Sequence, residues 1–307
     1  MELRIATQEE VQQAQQVGAP QLMRLALDMH GCATDVEMHA NLEATFKRGY
    51  VSIVELLGKL SGTVSLVGSG PSLKSTLHEL TGDVFAINQA VGYLLDNGIV
   101  PKYAMFWDAA DIVANFAVPH PDITYLVASR CHPDVFERLK GCQIYVWHAG
   151  GDHDINDQLW KHGVDEPMIP GGSAGITRAI CFANVLGFRD IHVFGADSSY
   201  SEDGNTHVIG SLVPEKDILV SVGNDPPRWF RTTPEWCAQA NEYRAIFATL
   251  AQSEQNKIEV HGTGMLPYLH RLLVMFRQHM GTEKFIAEVA TAHEDQMQRD
   301  KAAGEVK

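Results

Sequence analysis

From Thr63 to Phe194 the chain repeats one pattern: a short apolar run, a polar or glycine-rich break, then a stretch with helical spacing of apolar positions. The apolar runs are Thr63–Val67 (TVSLV), Val84–Ile87, Tyr103–Trp107 (YAMFW), Thr124–Ala128, Gln143–Trp147 (QIYVW) and Asp190–Phe194 (DIHVF). They are too short for buried helices and rich in β-branched and aromatic residues, so they predict strands. Between them, Ala90–Asn97 closed by Gly98, Asp134–Leu139, and Ser173–Leu186 closed by Gly187 predict helices. Strands that are apolar almost throughout, alternating with helices, imply a mostly parallel sheet covered on both faces.

The flanks differ. Val11–His30, broken by Gly18 and Pro20, and Ala40–Leu60, ended by Ser61–Gly62, carry helical spacing. Beyond the repeat, Pro234–Ser253 and Leu266–His279 predict helices, with Lys257–His261 as a last strand between them. From Glu283 onward the chain is charged and alanine-rich, which predicts a helix that frays towards Lys307. The expected organisation is a helical extension over 1–60, an α/β domain over 61–265 and a helical extension over 266–307.

Charge adds a constraint. The 307 residues hold 24 Lys+Arg and 38 Asp+Glu, a formal charge of −14. Such a chain does not read as a general nucleic-acid binder, which needs a basic face. A single phosphate site stays open, because helix N-termini supply positive potential without basic residues. The opening MELRIATQEEV has three acids and no apolar core of a signal peptide, and no segment reaches the roughly 20 apolar residues of a membrane span. Five widely spaced cysteines without a C-x-x-C pair argue against a disulfide framework or zinc ribbon. A cytoplasmic protein is expected, free of membrane contact and compatible with a homo-oligomer.

Candidate chemistry gathers at the breaks after strands. Gly68-Ser69-Gly70-Pro71-Ser72 follows the first strand; its glycines allow close backbone approach, and Pro71 and Ser72 suit a first helical turn. It is neither a G-x-G-x-x-G fingerprint nor a Walker loop. A second glycine-rich helix start, Gly171-Gly172-Ser173-Ala174-Gly175, would lie at the same end of the sheet, with Ser173 available as a cap. Asp108 follows YAMFW, with Asp111 three residues on, and Asp197 follows DIHVF. Carboxylates there could hold Mg²⁺ or a ribose, or simply cap the next helix. His207, in the loop Tyr200–His207, could act as a general base or donate to phosphate. The histidines and acids of WHAGGDHDIND (His148, Asp152, His153, Asp154) fit no zinc spacing. Arg228–Arg231 (RWFR) could stack on a base, grip a phosphate or anchor a loop.

Taken in order, three blocks resemble one family. Val64–Leu73 (VSLVGSGPSL) comes first, then Phe85–Ala90 (FAINQA) with Pro101-Lys102-Tyr103 before Asp108. Gly172–Gly175, Gly195-Ala196-Asp197 and Asp203–His207 (DGNTH) form the third. Together they resemble the MptE-like proteins, which include a 6-hydroxymethylpterin diphosphokinase and flagellar motility accessory factors. The same blocks are similar to single-domain bacterial sialyltransferases. The resemblance spans about residues 60–210. Ser198-Ser199-Tyr200 departs from the motility-type pattern, and neither the first 60 residues nor the region after about 215 is covered.

What the resemblance implies is a Rossmann-like transferase acting on a nucleotide phosphate and a small acceptor, foremost a diphosphokinase that uses ATP and Mg²⁺. The alternatives are a glycosyltransferase using a CMP-sugar and a non-catalytic nucleotide-binding assembly module. On that reading Gly68–Ser72 and Gly172–Gly175 cradle the donor phosphates and Asn88 orients the nucleotide. Asp108 and Asp197 hold Mg²⁺ or ribose, while His207 and Asp197 serve the chemistry.

Overall fold

The computed structural model describes residues 4–5, 33–150, 153–209, 217–223 and 227–291. The helix expected over Val11–His30 and the tail beyond 291 lie outside them.

Nine strands form one fully parallel sheet in the order β12-β9-β3-β4-β5-β6-β7-β2, with β8 also pairing with β7. Its centre is β3 (Thr63–Val67), β4 (Asp83–Ile87), β5 (Tyr103–Phe106) and β6 (Thr124–Ala128). All four residues of β5 are buried, as expected of a strand covered on both faces. The helices between strands cover the sheet. Among them, α2 (Leu73–Thr76) follows β3, α3 (Ala90–Asp96) follows β4 and α4 (Pro133–Arg138) follows β6. After β7 (Gln143–Ala149), α5 (His153–Lys161) and β8 (Met168–Ile169), helix α6 (Gly175–Leu186) carries the chain back across the sheet. It delivers β9 (Asp190–Phe194) to the other side of β3, and β12 (Lys257–Val260) extends that side. The chain order therefore reverses at β3, so the loops after β3 and β9 lie at the switch point of a Rossmann-like sheet, where such folds open a crevice. Trp147 and Phe182, fully buried with ring centroids 4.9 Å apart, tie β7 to α6 in the core.

One expectation changes, and two further features had no predicted element. The helix over Ala40–Leu60 is instead α1 (Asp35–Arg48), started by a Thr34–Glu37 capping box and stopped by Gly49 at φ 70. Val51–Ser52 then forms β2 on the free edge of β7, and Ser52 caps a 3-10 turn at Ile53–Glu55. The apolar spacing of Val51, Val54 and Leu57 imitates a helix, but the left-handed glycine breaks it. Second, β10 (Ile218–Val222) and β11 (Arg228–Thr232) form an antiparallel ribbon, joined by β1 (Arg4–Ile5) in a separate small sheet. Third, the RWFR segment is β11 itself: Phe230 and Thr232 turn inward while Arg228 and Arg231 stay exposed.

The C-terminal helices α7 (Pro234–Leu250) and α8 (Met265–Met280) share the core of the sheet, as do Phe285 and Val289 within the helical stretch 282–291. Among the described residues no helix is long and apolar enough to cross a membrane.

Candidate functional site

The loop after β3 is fixed by the loop after β9. Gly68 N–H donates to Phe194 O at 2.9 Å and Gly70 N–H to Gly195 O at 2.8 Å. A Cβ on Gly70 would sit 2.7 Å from Gly195 O and closer still to the Asp197 carboxylate, so only glycine permits this approach. Asp197 is 4% exposed and accepts from Ser72 N–H at 3.0 Å. Its backbone carbonyl accepts from Leu266 N–H at 3.0 Å, and Ser199 Oγ accepts from Met265 N–H at 3.0 Å, capping α8. Gly264 leaves the room, since a Cβ there would lie 2.6 Å from that of Asp197. Burial raises the Asp197 pKa, and the Ser72 N–H opposes that rise. Asp197 is thus a lock between two loops and a helix start.

Asn88 follows β4 and is one of two described non-glycine residues at positive φ, at 46°. Its N–H donates to Met105 O at 3.0 Å. Its side-chain Oδ1 is buried without a hydrogen-bond partner among the described residues. Such strain and such an orphaned acceptor each cost about 1–3 kcal/mol, and both concentrate at functional sites. Next along, Gly175 opens α6 against Ile87 and Trp107: a Cβ there would meet Ile87 Cγ2 at 3.0 Å and the Trp107 indole nitrogen at 3.4 Å. The ends of β4 and β5 and the start of α6 are therefore in contact.

The α6 start is not an open anion site. Ser173 does not cap the helix; its N–H and Oγ both donate to Glu242 Oε2 from α7, at 2.8 and 3.0 Å. The protein's own carboxylate takes the place expected for a phosphate oxygen.

His207 stands beside the first loop, because Val208 N–H donates to Ser69 O at 2.8 Å. Its Nδ1 lies 3.0 Å from Thr206 Oγ1, and its ring meets Trp236 edge-on at 6.3 Å. Burial lowers its pKa, so the ring is neutral at pH 7 and able to accept a proton. The small sheet steadies this loop: Tyr200 N–H donates to Arg231 O at 2.9 Å, and Thr232 Oγ1 to Ser198 O at 2.7 Å. Arg231 pairs with Asp217 and covers the Tyr200 ring at 4.5 Å, while Arg228 lies over Phe230 at 5.0 Å. Both arginines lie over aromatic rings of the protein; of the two expected anchors of RWFR, Phe230 is buried in the core and Trp229 is exposed.

Asp108 and Asp197 do not fit a shared Mg²⁺. Their strands, β5 and β9, are separated by β3 and β4, about 14 Å of strand spacing, whereas a Mg²⁺ holds its oxygens at about 2.1 Å. Asp108 instead accepts from Ala110 N–H at 3.1 Å, a local turn bond and not a cap of the helical turn that starts at Asp111, and Asp111 is exposed. His148 is fully buried, with Ser129 Oγ 2.9 Å from Nδ1, and Glu166 and Tyr50 on its other side. Asp152 and the side chains of His153 and Asp154 lie outside the described residues.

A sequence profile described as "6-hydroxymethylpterin diphosphokinase MptE-like" matches residues 37–203, more than half of the chain. The chain belongs to the MptE-like family. A solved structure similar to this MptE-like chain is the MAf glycosyltransferase from Magnetospirillum magneticum AMB-1, with a TM-score of 0.52 and 16% identity. The likeness covers 74% of this chain and 37% of that one, and at such identity it speaks for the fold alone. No curated protein sequence matches.

The MptE-like match stops at 203, short of residues that complete the crevice. Sequence reading passed over Trp107, Arg130, Arg178 and Glu242. Arg130 Cζ lies 4.4 Å and Arg178 Cζ 4.7 Å from the Trp107 ring centre, and neither forms an ion pair among the described residues. Arg178 is 6% exposed and donates to the carbonyls of Gly150, Ile169 and Gly171; burial and the neighbouring Arg130 push its pKa down to about 10. The available signals were a lone cation inside the apolar run GITRAICFANVL and an arginine directly after the YLVAS strand. Glu242 had no local signal.

Proposed function

We propose that this MptE-like chain is a transferase whose donor is a nucleotide-linked sugar of the CMP type. The donor would be seated at the ends of β3, β4 and β5. Asn88 carries the reading: a strained residue between the glycine loop and Trp107, with a buried carbonyl that has no partner among the described residues, is open to a hydrogen-bond donor such as a base or ribose supplies. Gly68–Ser72 shapes the floor, and Asp197 positions that loop. Arg130 and Arg178 offer positive charge to the donor phosphate. Neutral His207 takes the proton of an acceptor hydroxyl, whose oxygen attacks the sugar's anomeric carbon as its bond to the phosphate oxygen breaks. This chemistry asks for no ion between Asp108 and Asp197.

The diphosphokinase reading keeps one support beyond the family description: two arginines without ion-pair partners among the described residues suit a polyphosphate. Melting shifts separate the two. CMP is expected to raise the melting temperature more than ATP with Mg²⁺ does, and His207→Gln to keep the CMP shift while losing turnover. AMP release from ATP on adding a hydroxymethyl-dihydropterin would establish diphosphate transfer instead.

A further inference from the structure

We infer that His192, Glu259 and His261 form a binding site for a divalent transition-metal ion of the zinc class, on the β9–β12 edge of the sheet. This is independent of the donor reading. Glu259 and His192 are register partners in the parallel pair, and alternate residues of a strand share a face. Asp190 and His192 on β9 therefore lie beside Glu259 and His261 on β12 and its end. The three inward atoms converge: His192 Nδ1 to His261 Nε2 is 3.0 Å, His192 Nδ1 to Glu259 Oε2 3.7 Å, and His261 Nε2 to Glu259 Oε2 3.9 Å. A point equidistant from all three lies about 2.1 Å from each, a zinc–nitrogen or zinc–oxygen bond length.

Each outer nitrogen has a carboxylate beside it. His261 Nδ1 is 3.0 Å from Glu79 Oε2, and His192 Nε2 is 3.6 Å from Asp190 Oδ1, while the other oxygen of that carboxylate, Oδ2, accepts from Thr63 Oγ1 at 2.7 Å. A carboxylate only accepts, so Glu79 draws the His261 proton to Nδ1 and leaves the lone pair of Nε2 facing His192 Nδ1 and the Glu259 carboxylate. Asp190 and Glu259 add negative charge on either side of His192, and a cation between the three inner atoms would be held by all of them. Histidine ligands backed by carboxylates are the usual outer arrangement of zinc sites. Glu259 is exposed, which leaves a fourth position for water. The ion would clip edge strand β12 to β9 beside Gly262 and Gly264, which pack on Asp197.

The test uses the untagged, chelator-stripped full chain. Titration with Zn²⁺ should show one tight equivalent that raises the melting temperature, and Co²⁺ should give the visible absorption of a four-coordinate nitrogen–oxygen site. The double variant His192→Gln/His261→Gln should lose that equivalent. Glu79→Gln, outside the ligand set, should weaken binding about 10-fold. Zn²⁺ affinity unchanged in the double variant would overturn the site. Should that variant not fold, wild-type protein without the Co²⁺ band would overturn it equally, leaving a proton shared between the two rings.

Discussion

Asn88 shows what one residue's backbone can report. Asparagine tolerates left-handed backbone better than most residues, but it does so here with its own side-chain oxygen buried and unpaired among the described residues. Asn88→Gly isolates the amide, because glycine adopts φ 46° without strain. Its stability should stay within about 1 kcal/mol of wild type by chemical denaturation, while nucleotide affinity by calorimetry falls ~10-fold, the worth of one lost hydrogen bond. Unchanged affinity would remove Asn88 from the donor site. The residue type was visible in FAINQA; its strain was not, since a φ angle follows from the neighbours that hold it.

Between elements, the Glu242 carboxylate at the start of α6 is the main surprise. Two glycine-rich helix starts were legible as anion sites, but one of them is already filled from α7, 69 residues away in sequence. Glu242→Gln keeps an oxygen for Ser173 N–H and removes the charge. It should cost about 1 kcal/mol of stability through the weaker helix-dipole contact. It should also tighten binding of a phosphate-bearing nucleotide several-fold, read by calorimetry at low salt. A wild-type affinity would show that the donor phosphates never approach α6. Similarly, β2 escaped local reading because a two-residue strand gains its stability from the edge it joins rather than from its own pattern.

For the whole molecule, buried histidines set the response to acid. His270 on α8 sits inside the α7–α8 contact, its Nδ1 2.7 Å from the Tyr243 hydroxyl, and burial lowers its pKa from 6.5 to about 4. Between those values the unfolded chain takes up a proton that the folded one refuses, so stability falls as pH drops from 6.5 towards 4. The loss should reach roughly 3 kcal/mol at pH 4. Burial also depresses the pKa of His148 and His207, which adds to the same trend. Denaturant unfolding across pH 4–7 measures it, and His270→Gln should flatten the slope; an identical slope would place the acid sensitivity elsewhere.

By itself the sequence determined the order of the central strands along the chain, the two glycine loops, the strand-end aspartates and the net charge of −14. These are local properties: apolar runs, glycine and cap chemistry act within a few residues. Only the tertiary structure decided that Asp197 joins two loops to a helix start, that Glu242 accepts from Ser173 at the start of α6, and that two arginines flank Trp107. It alone brought His192, Glu259 and His261 together. Each of these turns on which strands become neighbours and which faces meet, and that follows from packing across dozens of residues rather than from any spacing along the chain.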